Sequence, residues 1–193
     1  MTNKQYISAD QLLEDSFKLG TAILTSGFRP NFIVGIWRGG TPVGIAVQEL
    51  LDYFGVRTDH IAIRTSSYQG MNQRGDEVRV HGLSYLIKNI NAEDALLIVD
   101  DVYDTGLSVQ SVIHELHRKC RKNIPDDIRV ATAYFKPTNN KTDIVPDYYV
   151  HETANWLVFP HELDGLTPDE IIAHKPALRK YMQDLEAHKQ RAG

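Results

Sequence analysis

Cysteine is nearly absent. The 193 residues hold one, Cys120, which rules out an intrachain disulfide framework and fits a reducing compartment. An excess of positive charge is absent too: 21 Lys and Arg face 25 Asp and Glu, and the net charge of −4 argues against a nucleic-acid partner. No apolar run approaches membrane-spanning length, so no membrane partner is expected. The opening Met1-Thr2-Asn3-Lys4-Gln5 is polar with no apolar core after it, and no signal peptide is expected there. There is no internal repeat and no low-complexity segment. What is present is an ordinary globular composition, 42% hydrophobic and 24% charged. It fits a single cytoplasmic domain over 1–193, long enough to bury a sizeable core.

The most informative stretch runs from Ala95 to Ser108. Ala95-Leu96-Leu97-Ile98-Val99 reads as a strand buried on both faces, ending at the acidic pair Asp100-Asp101. Asp104-Thr105-Gly106 makes a short turn, and an amphipathic helix starts near Ser108. The free N–H groups and the dipole at a helix start favour an anion, ideally phosphate. Asp100 and Asp101 cannot bind phosphate, but they can accept hydrogen bonds from a diol or hold a divalent cation. A ribose 5-phosphate satisfies both halves.

Upstream, Ser8-Ala9-Asp10-Gln11 is a capping-box signature, opening a helix that Gly27 and Pro30 end. Phe32 to Trp37 reads as a buried strand, and Arg38-Gly39-Gly40 as the loop after it. Thr41 is the expected N-cap, and Pro42 the N1 residue, of a helix that Gly55 stops. Arg38 beside two glycines offers an anion both a cation and a close backbone. His60 to Thr65 is a strand candidate, and Ser66 to Asp76 reads as a long, polar, mobile loop. Val78, Val80, Leu83 and Leu86 are expected to be extended. On the helix after Ser108, Val109, Val112, Ile113 and Leu116 form the apolar face. His114, His117 and Cys120 are expected at the surface rather than around a metal. Ile128 to Phe135 is a further strand, followed by Lys136-Pro137, and Asp147 to Val150 is a short one. Thr167-Pro168-Asp169-Glu170 opens a last helix that Pro176 interrupts. Strands alternating with helices predict an α/β fold, a mostly parallel sheet flanked by helices, with sites at the carboxyl ends of its strands.

Val99-Asp100-Asp101-Val102-Tyr103-Asp104-Thr105-Gly106-Leu107-Ser108 resembles the phosphoribosyl-diphosphate (PRPP) motif of type I phosphoribosyltransferases. That pattern is apolar residues, two acids, two mostly apolar residues, Asp/Ala-Thr-Gly, one variable residue and Ser/Thr. Four motifs in family order, between about Phe32 and Glu162, extend the resemblance to the purine (hypoxanthine/xanthine-guanine) group. It implies the type I phosphoribosyltransferase fold with a small hood, and it leaves about 165–193 as a helical tail outside it. The implied activity is Mg²⁺-dependent transfer of the 5-phosphoribosyl group from PRPP to an oxopurine, hypoxanthine or guanine, with xanthine a further candidate. A homo-oligomer, dimer or tetramer, is implied as well.

By the same resemblance, Arg38 and Gly39 contact the diphosphate, with a cis peptide between them. Asp100 and Asp101 hold the ribose hydroxyls and the metal, and Asp104 is the catalytic group beside the purine five-membered ring. Thr105, Gly106, Leu107 and Ser108 wrap the 5-phosphate; Leu107 replaces a Lys or Gly without loss of backbone binding. Ser66, Ser67 and Tyr68 begin a lid that shields an oxocarbenium-like state from water. Lys136 donates to the purine 6-oxo group, Trp156 stacks on the base, Leu157 meets the base edge, and Glu162 reaches the metal. His161 departs from the Trp of the family pattern. Two alternatives share the PRPP motif: a regulator of the same fold that senses nucleotides or PRPP without turnover, and an enzyme for another base.

Overall fold

Aliphatic runs pair into a sheet, and the amphipathic runs between them cover it. The structure, a computed structural model, describes residues 4–68, 77–182 and 184, with the backbone alone at 67, 68 and 77. In chain order the described elements are β1 (Lys4–Tyr6), α1 (Ala9–Thr25), β2 (Phe32–Trp37), α2 (Gly40–Tyr53), β3 (Asp59–Tyr68), β4 (Glu77–His81) and α3 (Ser84–Asn89). Then come β5 (Ala95–Tyr103), α4 (Leu107–Cys120), β6 (Asp127–Phe135), β7 (Tyr148–Glu152), β8 (Trp156–Val158) and α5 (Pro168–His174). They fall into two compact units, Asp10–Ala154 and a smaller one of Met1–Ala9 with Asn155–Gly193.

The larger unit holds a six-stranded sheet in the order β4-β3-β2-β5-β6-β7. All its pairings are parallel except that of β3 with β4. Leu96, Leu97, Ile98 and Val99 have no exposed surface, as a central parallel strand covered on both faces requires. Parallel neighbours need crossovers, and α2 and α4 supply them for β2 to β3 and β5 to β6. α4 turns Val109, Val112, Leu116 and Cys120 to the core. Cys120 is therefore buried rather than at the surface, because it lies one helical turn past Leu116, and burial pushes its thiol pKa up. α1 carries a fully buried Asp15, whose carboxylate accepts from Tyr134 Oη (3.2 Å) and Gln11 Nε2 (3.0 Å).

Three boundaries differ from the sequence expectation. Leu83 and Leu86 are not extended: Gly82 at φ +93° ends β4, and Leu83, Leu86 and Ile90 bury at helical spacing around α3. α2 starts at Gly40, with Gly39 at its N-cap, so Thr41 lies inside the helix and caps nothing. β3 runs to Tyr68, with Ser66, Ser67 and Tyr68 opposite Arg79, Val78 and Glu77, so these three are strand rather than loop. The rest of the expected lid, 69–76, lies outside the described residues.

The smaller unit pairs β1 with β8 in parallel, Lys4 opposite Trp156 and Gln5 opposite Leu157. α5 begins as expected: the Thr167 hydroxyl accepts from Glu170 N (3.3 Å), and the Glu170 carboxylate accepts from Thr167 N (2.9 Å), a complete capping box. A one-turn 3₁₀ segment, Pro176–Leu178, follows, as Pro176 demands. Among the described residues no helix is long and apolar enough to cross a membrane.

Candidate active site

The strand register decides where the sheet opens. β2 and β5 pair from Phe32↔Leu96 to Gly35↔Val99 and no further. β2 stays with β3 as far as Trp37↔Arg64, and β5 stays with β6 as far as Tyr103↔Phe135. The two central strands therefore part just before Arg38-Gly39-Gly40 and Asp100-Asp101, at the carboxyl edge where α/β sheets bind ligands. Asp100 and Asp101 consequently lie inside β5 and not beyond its end, because β6 keeps pairing after β2 has left.

Gly39 and Gly40 close this opening from the β2 side. A Cβ on Gly39 would overlap the Asp101 carboxylate. One on Gly40 would overlap the Val99 carbonyl oxygen and lie 2.9 Å from the Asp100 Cα. These glycines are thus required by the acidic strand itself, a reason the sequence did not disclose. Asp100 Oδ1 accepts from Asp101 N (3.0 Å), and Asp101 Oδ1 accepts from Val102 N (2.8 Å). Burial first, and the adjacent Asp101 carboxylate second, push the Asp100 carboxyl well above the usual carboxylate range. Arg38 is exposed and forms no ion pair among the described residues. The cis peptide falls at Trp37–Arg38, one bond before the expected Arg38–Gly39.

At the other end of the motif, Gly106 takes φ +78° directly before α4. A Cβ there would stand 2.5 Å from Tyr103 Oη and 2.7 Å from Thr142 Oγ1, so both backbone and space demand glycine. Thr105 Oγ1 accepts from Leu107 N (3.4 Å), and Ser108 Oγ accepts from Thr65 Oγ1 (3.4 Å). Thr105 and Gly106 thus form the turn directly before α4, and Leu107 and Ser108 open the helix, the place where the sequence reading expects an anion.

Between these two halves stands Asp104. Its Oδ2 accepts from Lys136 Nζ at 2.9 Å and its Oδ1 from Asn139 Nδ2 at 2.8 Å. The Lys136 side chain is 8% exposed and the Asp104 carboxylate 42%, so the cation is sunk and the anion faces solvent. Lys136 N donates to Tyr103 O (2.9 Å) and Lys141 N to Thr105 O (3.0 Å), tying the segment after β6 to the chain on both sides of Asp104. The structure therefore joins two residues that the sequence had only given separate roles. It adds Asn139, which no motif pointed to.

In the smaller unit, Trp156 is 59% exposed at the start of β8, and Leu157 is buried. Glu162 Oε2 accepts from Phe159 N (3.0 Å), and His161 stacks on Phe159. Ser66 Oγ, in the larger unit, lies 3.2 Å from His81 Nε2 across the β3–β4 pair.

Among the described residues no group of three or more His, Cys, Asp or Glu could hold a metal by itself. Mg²⁺ does not need one, since it binds through one or two carboxylates completed by phosphate oxygens and water. Asp100 and Asp101 are such a donor pair, and the raised Asp100 carboxyl marks negative charge that a cation would relieve. The residues fit Mg²⁺ shared with a phosphorylated ligand.

The phosphoribosyl transferase domain family matches residues 9–164. The chain belongs to this family. The hypoxanthine-guanine phosphoribosyltransferase of Bacillus subtilis is 24% identical over 163 residues, covering 83% of this chain and 84% of that protein. Its counterpart in Streptococcus agalactiae is 25% identical over 162 residues, with the same coverage of 83% and 84%. Among solved structures, a purine phosphoribosyltransferase from Pyrococcus horikoshii superposes with a TM-score of 0.67 at 28% identity, over 85% of this chain and 97% of that one. A hypothetical protein from Neisseria gonorrhoeae with bound ppGpp superposes with a TM-score of 0.74 at 20% identity, over 92% and 98%. The fold is that of the type I phosphoribosyltransferases. The family match stops at 164, before α5 (Pro168–His174).

Proposed function

We propose that this family member serves purine salvage, joining an oxopurine ring nitrogen to C1 of PRPP with release of pyrophosphate. The observation that carries the reading is the buried Lys136 ammonium held on Asp104 at 2.9 Å, beside the phosphate turn. An ammonium has three N–H groups, so Lys136 keeps donors for a 6-oxo group while it holds Asp104. Asp104, an acceptor on both oxygens, takes the ring proton or stabilises positive charge on the five-membered ring. The Thr105–Ser108 turn receives the 5-phosphate through N–H groups and two hydroxyls. Asp100 and Asp101 accept from the ribose hydroxyls, and Arg38 and Gly39 meet the diphosphate. Mg²⁺, when bound by Asp100 and Asp101 with the diphosphate, neutralises leaving-group charge. The family resemblance assigns Trp156 and Leu157 to the base, Ser66, Ser67 and Tyr68 to a lid and Glu162 to the metal. It also supplies the homo-oligomer, which sedimentation tests.

The test is PRPP-dependent nucleotide formation with adenine, hypoxanthine, guanine, xanthine and uracil, each with Mg²⁺ and with chelator. Hypoxanthine and guanine should be used and adenine rejected, because Lys136 has no acceptor for a 6-amino group. Adenine matching hypoxanthine in kcat/KM would overturn the oxopurine assignment. The second reading, a sensor without turnover, is favoured by one observation: the Neisseria neighbour of the same fold binds ppGpp. Tight nucleotide binding with no transfer to any base would select it.

A further inference from the structure

Asn139 is exposed, lies outside the PRPP motif, and closes a turn that Lys136 opens: Asn139 N donates to Lys136 O at 3.1 Å. We propose that Asn139 is a positioning residue for the transfer step, acting by clamping the Asp104 carboxylate together with Lys136. The inference rests on the role of Asp104 given above.

The geometry is a two-handed grip. The two ends of one turn send side chains to the two oxygens of one carboxylate, Nζ to Oδ2 at 2.9 Å and Nδ2 to Oδ1 at 2.8 Å. One hydrogen bond leaves a carboxylate free to rotate about its last bond, whereas two bonds to different oxygens fix its plane. The grip is also referenced to the right piece of chain. Lys136 N on Tyr103 O and Lys141 N on Thr105 O hold the clamp to the backbone on either side of Asp104. Only the amide NH₂ can face a carboxylate, so the orientation of the Asn139 side chain follows from its partner.

The chemistry explains why a neutral donor stands here. Lys136 already balances the single negative charge of Asp104. A second cation would bias Asp104 against taking a proton, and an anion would repel it. The amide orders the carboxylate without changing the charge. It also acts when Lys136 turns one of its N–H groups to a base, because Oδ1 then stays anchored. Asn139 is thus a specificity-neutral element: its loss should leave the choice of base and the grip on PRPP alone, and slow the step itself.

The experiment is steady-state kinetics with hypoxanthine and PRPP on Asn139→Ala and Asn139→Asp, each alone and in an Asp104→Asn background. Loss of a charge-assisted bond should lower kcat about tenfold, with KM for PRPP changed by less than about twofold. Asn139→Asp keeps the turn-forming character of the residue but sets carboxylate against carboxylate, so it should lose at least as much as Asn139→Ala. A residue that served the turn alone would give the opposite order. In the Asp104→Asn background neither change should lower kcat further, since the group they act through has gone. Unaltered kcat in both single variants, or full additivity with Asp104→Asn, overturns the clamp while leaving the transferase reading in place. A wild-type protein that transfers to no base overturns both.

Discussion

Two carboxylates, one in each compact unit, are driven in opposite directions. Burial and the neighbouring Asp101 push Asp100 in β5 well above the ordinary carboxylate range. The Lys4 ammonium, the Thr167 backbone N–H and the Tyr6 hydroxyl draw Glu170 in α5 down to about 2. Three cations show the same contrast. Arg38 of the larger unit is exposed and forms no ion pair among the described residues. Lys4 and Lys175 of the smaller unit are committed, the first to Glu170 and the second to the carbonyls of Phe159 and Pro160. Folding gains nothing from setting a carboxyl where burial and a like charge oppose its ionisation, so such a group points to a ligand. A carboxylate that completes a helix cap and takes a lysine belongs to the fold. Asp100 and Arg38 stand apart from the structural ion pairs of their own unit, such as Arg118–Glu115 and Arg129–Asp127, whereas Lys4, Glu170 and Lys175 hold the smaller unit together.

Substitutions at the polar groups of the candidate site should therefore remove activity before stability. Asp104→Asn is expected to have the largest effect, a loss of turnover of ~10²–10⁴-fold with PRPP affinity retained. Turnover and calorimetric PRPP binding on one preparation check it, and wild-type turnover would remove Asp104 from the mechanism. Lys136→Ala comes next. It strips Asp104 Oδ2 of its donor and leaves a 6-oxo group unpaired, for a loss of roughly 1.5–3 kcal/mol in kcat/KM for hypoxanthine. PRPP affinity should change far less; equal losses in both would mean that Lys136 serves the phosphates and not the base.

Gly40→Ala sharpens the contrast from the packing side. Its Cβ would meet the β5 backbone at Val99 and Asp100, which cannot swing away, whereas the atoms nearest to a Cβ at Gly39 belong to the Asp101 side chain. Overpacking of this kind costs about 1–3 kcal/mol, and Gly40→Ala should lie at the upper end with Gly39→Ala below it. Urea unfolding ranks the two. The reverse order would show that the Asp101 carboxylate is the more rigid of the two neighbours.

Much of this was legible in the sequence because it depends on local pattern. The aliphatic run Leu96–Val99, the Thr105–Gly106 turn and the Thr167/Glu170 capping box each announce themselves within a few residues. What stayed hidden depends on register or on partners far along the chain. β5 reaches Tyr103 because β6 continues beside it, which no reading of residues 95–103 alone can show. Cys120 is buried because α4 is one turn longer than its most apolar stretch. The buried Asp15 is stabilised by Tyr134, 119 residues away. The clamp on Asp104 belongs to the same class: Lys136 was recognised by its place after a strand, but Asn139 carries no motif and is given its role only by a turn that folds back on the chain beside Asp104.

The smallest expected effect tests the opening contrast most directly, through pH. Glu170 has its folded pKa depressed from 4.5 to about 2, so its contribution is fully present above 4.5 and is lost as pH falls toward about 2. Asp100 has its pKa raised, so its contribution runs the other way: it is present below the ordinary value of 3.8 and is lost as pH rises through the raised folded value. Acidification from 4.5 toward 2 should therefore loosen the smaller unit, whereas Asp100 is relieved at higher pH, as pH falls through its raised value toward 3.8. The protein's two tryptophans report the units separately, Trp37 in the larger and Trp156, paired opposite Lys4, in the smaller. On acidification toward about pH 2, their indole N–H resonances should show the Trp156 signal moving with a midpoint of about 2 while the Trp37 signal does not follow it. Glu170→Gln keeps the side-chain shape and much of the cap but gives up the charge that Lys4 answers. In that variant the Trp156 transition should disappear, and turnover at neutral pH should stay at the wild-type level. A Trp156 signal that titrates unchanged in Glu170→Gln would mean that the smaller unit is held by something other than its lysine–glutamate pair.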